Sequence, residues 1–73
     1  MLNHLGQLEH AYRHAVALYN EGRGDLVASN ARLYREFGLS DDEILKLVAI
    51  CSDDVRNDVY RARMVLRVQP DVK

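Results

Sequence analysis

The sequence predicts an all-α domain of three helices: a helical hairpin followed by one long C-terminal helix. Its 73 residues suffice for a single domain covering residues 1–73. The only proline is Pro70, and glycines at positions 6, 22, 24 and 38 leave three long stretches between them. None of these stretches shows the alternating polar and apolar pattern of a half-buried strand.

The first predicted helix covers about residues 2–21. Its apolar residues recur at alternating spacings of three and four, which places them on one helix face. These residues are Leu5, Leu8, Tyr12, Ala15 and Tyr19. Gly22 and Gly24 are expected to end this helix, because glycine readily adopts the left-handed conformation that closes a helix C-terminus.

The second predicted helix covers about residues 25–37. Asp25 is expected to cap its N-terminus, since a carboxylate oxygen can accept a hydrogen bond from a free amide of the first turn. Gly38 follows the last turn and is a suitable C-terminal residue. The first two helices are therefore predicted to form an antiparallel hairpin across Gly22-Arg23-Gly24.

The third predicted helix covers residues 41–68 and is followed by a tail, residues 69–73. It starts at a capping box in which Ser40 and Glu43 exchange side-chain and backbone hydrogen bonds. No glycine or proline interrupts it before Pro70. One apolar stripe runs along it, comprising Ile44, Val48, Cys51, Val55, Val59, Ala62 and Leu66. A break near Ser52, with a new helix starting there, is the alternative.

Self-association is expected on two grounds. A chain this short buries only about 60% of the surface that its unfolded form exposes, and small proteins compensate with disulfides, metals, tight packing or oligomerisation. The single cysteine, Cys51, excludes an internal disulfide. Leu45, Ile50 and Met64 lie off the apolar stripe, so we expect them to contribute to a homodimer interface.

The residues that could carry chemistry have simpler structural explanations, so no enzyme, catalytic residue, metal or cofactor is predicted. His10 and His14 have zinc-ligand spacing, but Ala11 stands where a metalloprotease helix has its glutamate. Cys51 lies within the apolar stripe, where it would be a buried hydrophobic residue rather than a nucleophile. The acidic pairs at 41–42 and 53–54 lie where helix N-termini favour negative charge.

One polar surface remains for recognition, formed by Arg56, Tyr60, Arg63 and Arg67 on one side of the third helix. Arginine and tyrosine are enriched at binding hot spots, so an acidic or a phosphate-bearing protein partner would suit this surface. The simpler interpretation is a solvated face whose arginines complement the helix dipole. We predict a regulator, inhibitor or adaptor, of the kind that accessory proteins of phages and other mobile elements represent.

The alternative function is DNA binding. Residues 33–40, followed by Ile44 and Leu47, resemble the turn region of helix-turn-helix transcriptional regulators, with Gly38 as the turn glycine. The family expects a small residue where Tyr34 stands. The start of its recognition helix would also be Ser40-Asp41-Asp42-Glu43, whose carboxylates repel phosphates. A net charge of −1 is no general footprint for nucleic acid either.

The expected location is the cytoplasm, without membrane association. The N-terminal residues lack the cationic and apolar regions of a signal peptide. No apolar run approaches the ~20 residues that a membrane-spanning helix needs. One free cysteine also fits a reducing compartment.

Overall fold

The computed structural model describes residues 3–67, and within that range the chain consists of helices joined by short turns. In chain order the helices are α1 (His4–Asn20), α2 (Gly24–Ser29), α3 (Ala31–Glu36), α4 (Asp41–Ile50) and α5 (Val55–Arg67). Residues 3–67 contain no strand, which confirms the all-α prediction. The predicted tail at 69–73 and the outer ends of the first and third predicted helices lie outside the described residues.

The first predicted helix corresponds to α1, whose N-terminus is capped by Asn3. The Asn3 side chain accepts a hydrogen bond from the Gly6 amide at 2.7 Å. At the other end Gly22 has a φ of +76°, the left-handed conformation predicted for it. This geometry lets the Arg23 amide donate to the Leu18 carbonyl at 2.8 Å, which closes the helix.

The second predicted helix is divided at Asn30 into α2 and α3. The Asn30 side chain donates to the Leu26 carbonyl at 2.8 Å and so competes with the backbone for that acceptor. The prediction that Asp25 caps this helix is wrong, because Gly24 and Asp25 are already helical. The Leu26 amide donates to the Arg23 carbonyl at 2.9 Å, which starts the helix earlier.

The third predicted helix is broken, so the prediction of one continuous helix over 41–68 is wrong and the alternative break near Ser52 is correct. Ser52 is buried, and its hydroxyl donates to the buried carboxylate of Asp58. The same hydroxyl oxygen accepts the Asp54 amide at 3.1 Å. α5 then starts with a hydrogen bond from the Asp58 amide to the Asp54 carbonyl at 2.9 Å.

The start of α4 is as predicted. The Ser40 hydroxyl accepts the Glu43 amide at 3.2 Å, and the Glu43 carboxylate accepts the Ser40 amide at 2.8 Å. Leu39 and Ile44, the two apolar residues flanking the cap, are both buried. Gly38 precedes them with a φ of +102°, and a Cβ there would lie 2.7 Å from the Gln7 side chain.

The core is one cluster to which every helix contributes. Its largest fully buried side chains are Tyr34, Ile44, Val27, Val48 and Cys51. α1 packs on α2 and α4, whereas α5 packs on α2, α3 and α4. The apolar face predicted for α1 is only partly covered, because Leu5 is 75% exposed and Tyr12 48% exposed. Ala15 of that face is buried, as is Ala11, and their small side chains let α1 approach its neighbours closely.

Candidate binding surfaces

The exposed charged residues of α5 are all cationic. This helix of 13 residues carries four arginines, all exposed, at positions 56, 61, 63 and 67. Its one acidic residue, Asp58, is only 4% exposed and accepts a hydrogen bond from Ser52. The positive charge of α5 is therefore not balanced by an exposed carboxylate on the same helix.

Carboxylates on other helices do not neutralise these arginines either. The ion pairs found within residues 3–67 are Arg13–Glu9, Arg35–Asp41, Lys46–Asp42 and, when the histidine is protonated, His4–Glu43. None of these pairs includes an arginine of α5. Over the described part of the chain, the α5 guanidinium groups are thus available to an external anion.

The residues predicted to bind a partner surround two adjoining grooves. Arg56, Tyr60 and Arg63 line a groove of about 580 Å³ whose floor includes Val55 and Val59. Arg63 and Arg67 line a second groove of about 330 Å³ together with Asp41, Leu45 and Leu66. Arg63 belongs to both grooves. The two grooves therefore form one continuous surface. All four predicted residues lie on α5, after the break, and we call this surface the α5 face.

Arg35 holds the one carboxylate that lines the second groove. Its guanidinium group donates to both oxygens of Asp41, at 2.9 and 3.0 Å. It also donates to the Leu66 carbonyl at 3.2 Å, near the C-terminus of α5. Arg35 thereby connects α3, α4 and α5 and offsets the negative charge beside Arg63 and Arg67.

The structure does not bring together the three residues predicted for self-association. Leu45 is half-buried against the core and lines the second groove of the α5 face. Met64 is 40% exposed on α5. Ile50, 63% exposed, lines a different groove between α1 and α4.

This groove between α1 and α4 was not predicted from the sequence, and we call it the α1/α4 groove. Its volume is about 610 Å³. The residues lining it are Leu5, Leu8, Glu9, Tyr12, Leu39, Glu43, Lys46, Leu47 and Ile50. The spacing of Leu5, Leu8 and Tyr12 placed them on one helix face, but it did not indicate what covers that face. An apolar stripe has the same pattern whether its own chain or another one covers it.

A histidine–carboxylate contact joins the start of α1 to Glu43, a residue that lines the α1/α4 groove. His4 Nε2 lies 2.7 Å from Glu43 Oε2, and His4 Nδ1 lies 3.3 Å from the Gln7 side-chain oxygen. The hydrogen bond with Glu43 raises the pKa of His4, with a smaller contribution from Gln7. Hydrogen bonds from the Ser40 amide and then from His4 lower the pKa of Glu43.

The other groups that could perform chemistry are occupied or buried. Cys51 is 1% exposed, and its burial raises the pKa of the thiol. The His10 ring packs on Phe37 with ring centroids 4.6 Å apart, and His14 Nδ1 lies 2.9 Å from the Tyr34 hydroxyl. Within residues 3–67, no three histidine, cysteine or acidic side chains cluster as metal ligands would.

Comparison with known proteins gives no match to a protein-family model, to a curated protein or to a solved structure. None of the helices among residues 3–67 is long and apolar enough to cross a membrane. The two surfaces described above are therefore interpreted from the residues of this chain alone.

Proposed function

We propose that the chain is a non-enzymatic protein-interaction module that binds an acidic surface of a protein partner through the α5 face. In this role it acts as a regulator, inhibitor or adaptor. The observation that carries the proposal is the arrangement of charge on α5. Four arginines are exposed there, whereas the one acidic residue of the helix is buried.

The shape of the α5 face suits a protein rather than a small anion. One side of the helix carries Arg56, Tyr60, Arg63 and Arg67, which span twelve residues and a length of about 16 Å at the α-helical rise. Val59 and the 64%-exposed ring of Tyr60 provide apolar area between Arg56 and Arg63. Arginine can bind a carboxylate with two parallel hydrogen bonds, and tyrosine adds contact area at low entropic cost.

A nucleic-acid partner is the rival interpretation, and the charges around Gly38 argue against it. The helix that would enter the major groove is α4, which begins with Asp41, Asp42 and Glu43. The side chain of Asp42 is 79% exposed and would face phosphate groups. Such contacts repel the DNA backbone, whereas DNA-binding helices release its counterions.

Affinity purification of the tagged chain from its own host tests the proposal, with co-purifying proteins identified by mass spectrometry. The informative variant is Arg56→Glu/Arg63→Glu, which reverses charge at the centre of the α5 face. Charges at the rim of an interface raise the association rate, and removing one member of a buried charge pair costs binding free energy. Proteins that co-purify with the wild type should therefore be depleted at least about tenfold with this variant.

The matched control is Arg23→Glu/Arg32→Glu, which changes net charge equally at two exposed arginines outside α5. It should retain the partner, because neither residue lines the α5 face. Equal retention by both double variants would contradict the proposal. Retention that nuclease treatment abolishes would instead identify nucleic acid as the partner.

A further inference from the structure

We propose that the α1/α4 groove binds a second copy of this chain, forming a two-fold symmetric dimer in which each groove faces the other. The groove and the α5 face share no lining residue. The dimer is therefore a second interaction surface, separate from the one proposed for the acidic partner.

The two walls of the groove run in the same direction. At one end, His4 near the start of α1 contacts Glu43 near the start of α4, at 2.7 Å. Towards the other end of both helices, a Cβ on Gly24 would lie 3.2 Å from the Tyr19 ring and 3.0 Å from the Cys51 carbonyl. The starts of α1 and α4 are therefore neighbours, and so are their ends.

This arrangement makes the apolar lining complementary to itself. Tyr12 and Ile50 lie eight and seven residues beyond the His4–Glu43 contact, on the α1 and α4 walls, and are 48% and 63% exposed. A two-fold axis that runs along the groove exchanges its walls and keeps their direction, so it places α1 of one copy parallel over α4 of the other. Tyr12 then faces Ile50 of the second copy, Leu5 (75% exposed) is covered by the start of that copy's α4, and the reciprocal contacts follow from symmetry.

The same axis pairs opposite charges. Glu9 lies midway along the α1 wall, between Leu5 and Tyr12, and Lys46 lies midway along the α4 wall, between Glu43 and Ile50. Exchanging the walls brings Glu9 opposite Lys46 of the second copy, twice in each dimer. A heterologous partner would need an unrelated surface with this pattern, whereas a second copy supplies it by symmetry.

Both charged side chains can turn towards a second copy. Glu9 pairs with Arg13 and Lys46 pairs with Asp42, each one helical turn along its own helix. The side chains of Glu9 and Lys46 are 62% and 74% exposed, so these pairs are solvent-screened. The apolar spacing of Leu5, Leu8 and Tyr12 also matches that of helices packed side by side in bundles.

Sedimentation equilibrium over a wide range of protein concentration tests the dimer, and a charge exchange tests its geometry. Glu9→Lys and Lys46→Glu should each weaken dimerisation at least about tenfold, because like charges then face each other. The double variant Glu9→Lys/Lys46→Glu restores opposite charges across the two-fold axis. It should dimerise within about threefold of the wild type.

Apolar substitutions provide the controls for position. Leu5→Ser or Ile50→Ser should abolish the dimer, and Met64→Ser, which removes an exposed apolar side chain from α5, should leave it intact. Circular dichroism confirms that each variant is folded. A wild type that remains monomeric at every concentration would overturn the proposal. A charge-exchanged double variant no better than the single ones would overturn it too, as would dimerisation that survives both serine substitutions.

Discussion

His4 and Glu43 give the groove between α1 and α4 a contact whose strength depends on pH. The carboxylate raises the pKa of His4 above its ordinary value of 6.5. The Ser40 amide, followed by His4, lowers the pKa of Glu43 below its ordinary value of 4.5. Both residues are solvent-exposed by comparison with the core, so the effect on stability is modest but has a defined sign.

The stabilisation by this pair should be largest between pH 4.5 and 6.5. A histidine whose pKa is raised on folding contributes fully below 6.5, and the contribution disappears as the pH rises through its folded-state pKa. A carboxylate whose pKa is lowered contributes above 4.5 and loses this as the pH falls through its folded-state pKa. Urea unfolding of the wild type and His4→Gln at several pH values measures the difference, which should shrink on both sides of that window. A pH-independent difference would contradict the prediction.

Tyr34 shows that the role of a residue near the Gly38 turn depends on a contact with another helix. It stands where helix-turn-helix regulators have a small residue, and it is fully buried. Its hydroxyl lies 2.9 Å from His14 Nδ1, and burial raises the pKa of Tyr34 to about 12. The sequence shows the bulky residue but not its partner, because His14 belongs to another helix. The His14 ring thus supplies the hydrogen-bond partner that the hydroxyl of a buried tyrosine needs.

The break between α4 and α5 depends on one buried side chain, that of Ser52. Its hydroxyl donates to Asp58 and accepts the Asp54 amide. Ser52→Ala should therefore destabilise the fold by about 1–3 kcal/mol, because the buried carboxylate of Asp58 loses its donor. Urea unfolding at neutral pH measures this change. The control is Ser29→Ala, which removes an exposed hydroxyl whose contact to the Asp25 carbonyl is long, 3.5 Å. Equal stability of Ser52→Ala and the wild type would contradict this role.

The helix boundaries divide into those that local sequence determines and those that it does not. The capping box at Ser40 and the glycine at position 22 act within one turn, so the sequence predicted both. The break near Ser52 was only an alternative, because the apolar stripe continues in register across it. The decisive contact joins Ser52 to Asp58, six residues away in the first turn of α5.

The two candidate surfaces were predictable to different degrees for a related reason. The α5 face lies on one helix, so helical spacing alone grouped Arg56, Tyr60 and Arg63 correctly on one surface. The α1/α4 groove combines residues far apart in the chain, such as Leu5 and Ile50, which are 45 positions apart. Helical periodicity identifies an apolar stripe but not which neighbour covers it. The prediction for α1 therefore grouped Leu5, Leu8 and Tyr12 on one face without indicating that this face lines a groove.

At the scale of the whole molecule, dimerisation should be visible in thermal stability. A second copy that binds only the folded chain stabilises it by mass action, so the melting temperature should rise with protein concentration. We expect a rise for the wild type over about a hundredfold range of concentration, and none for Ile50→Ser. Glu9→Lys/Lys46→Glu should regain the rise that Lys46→Glu alone loses. This recovery separates a two-fold contact from a general effect of surface charge, since the single and double variants differ at only one position. Circular dichroism melts at matched concentrations measure all four proteins. A wild-type melting temperature that is constant over this range would show that each chain gains its stability alone.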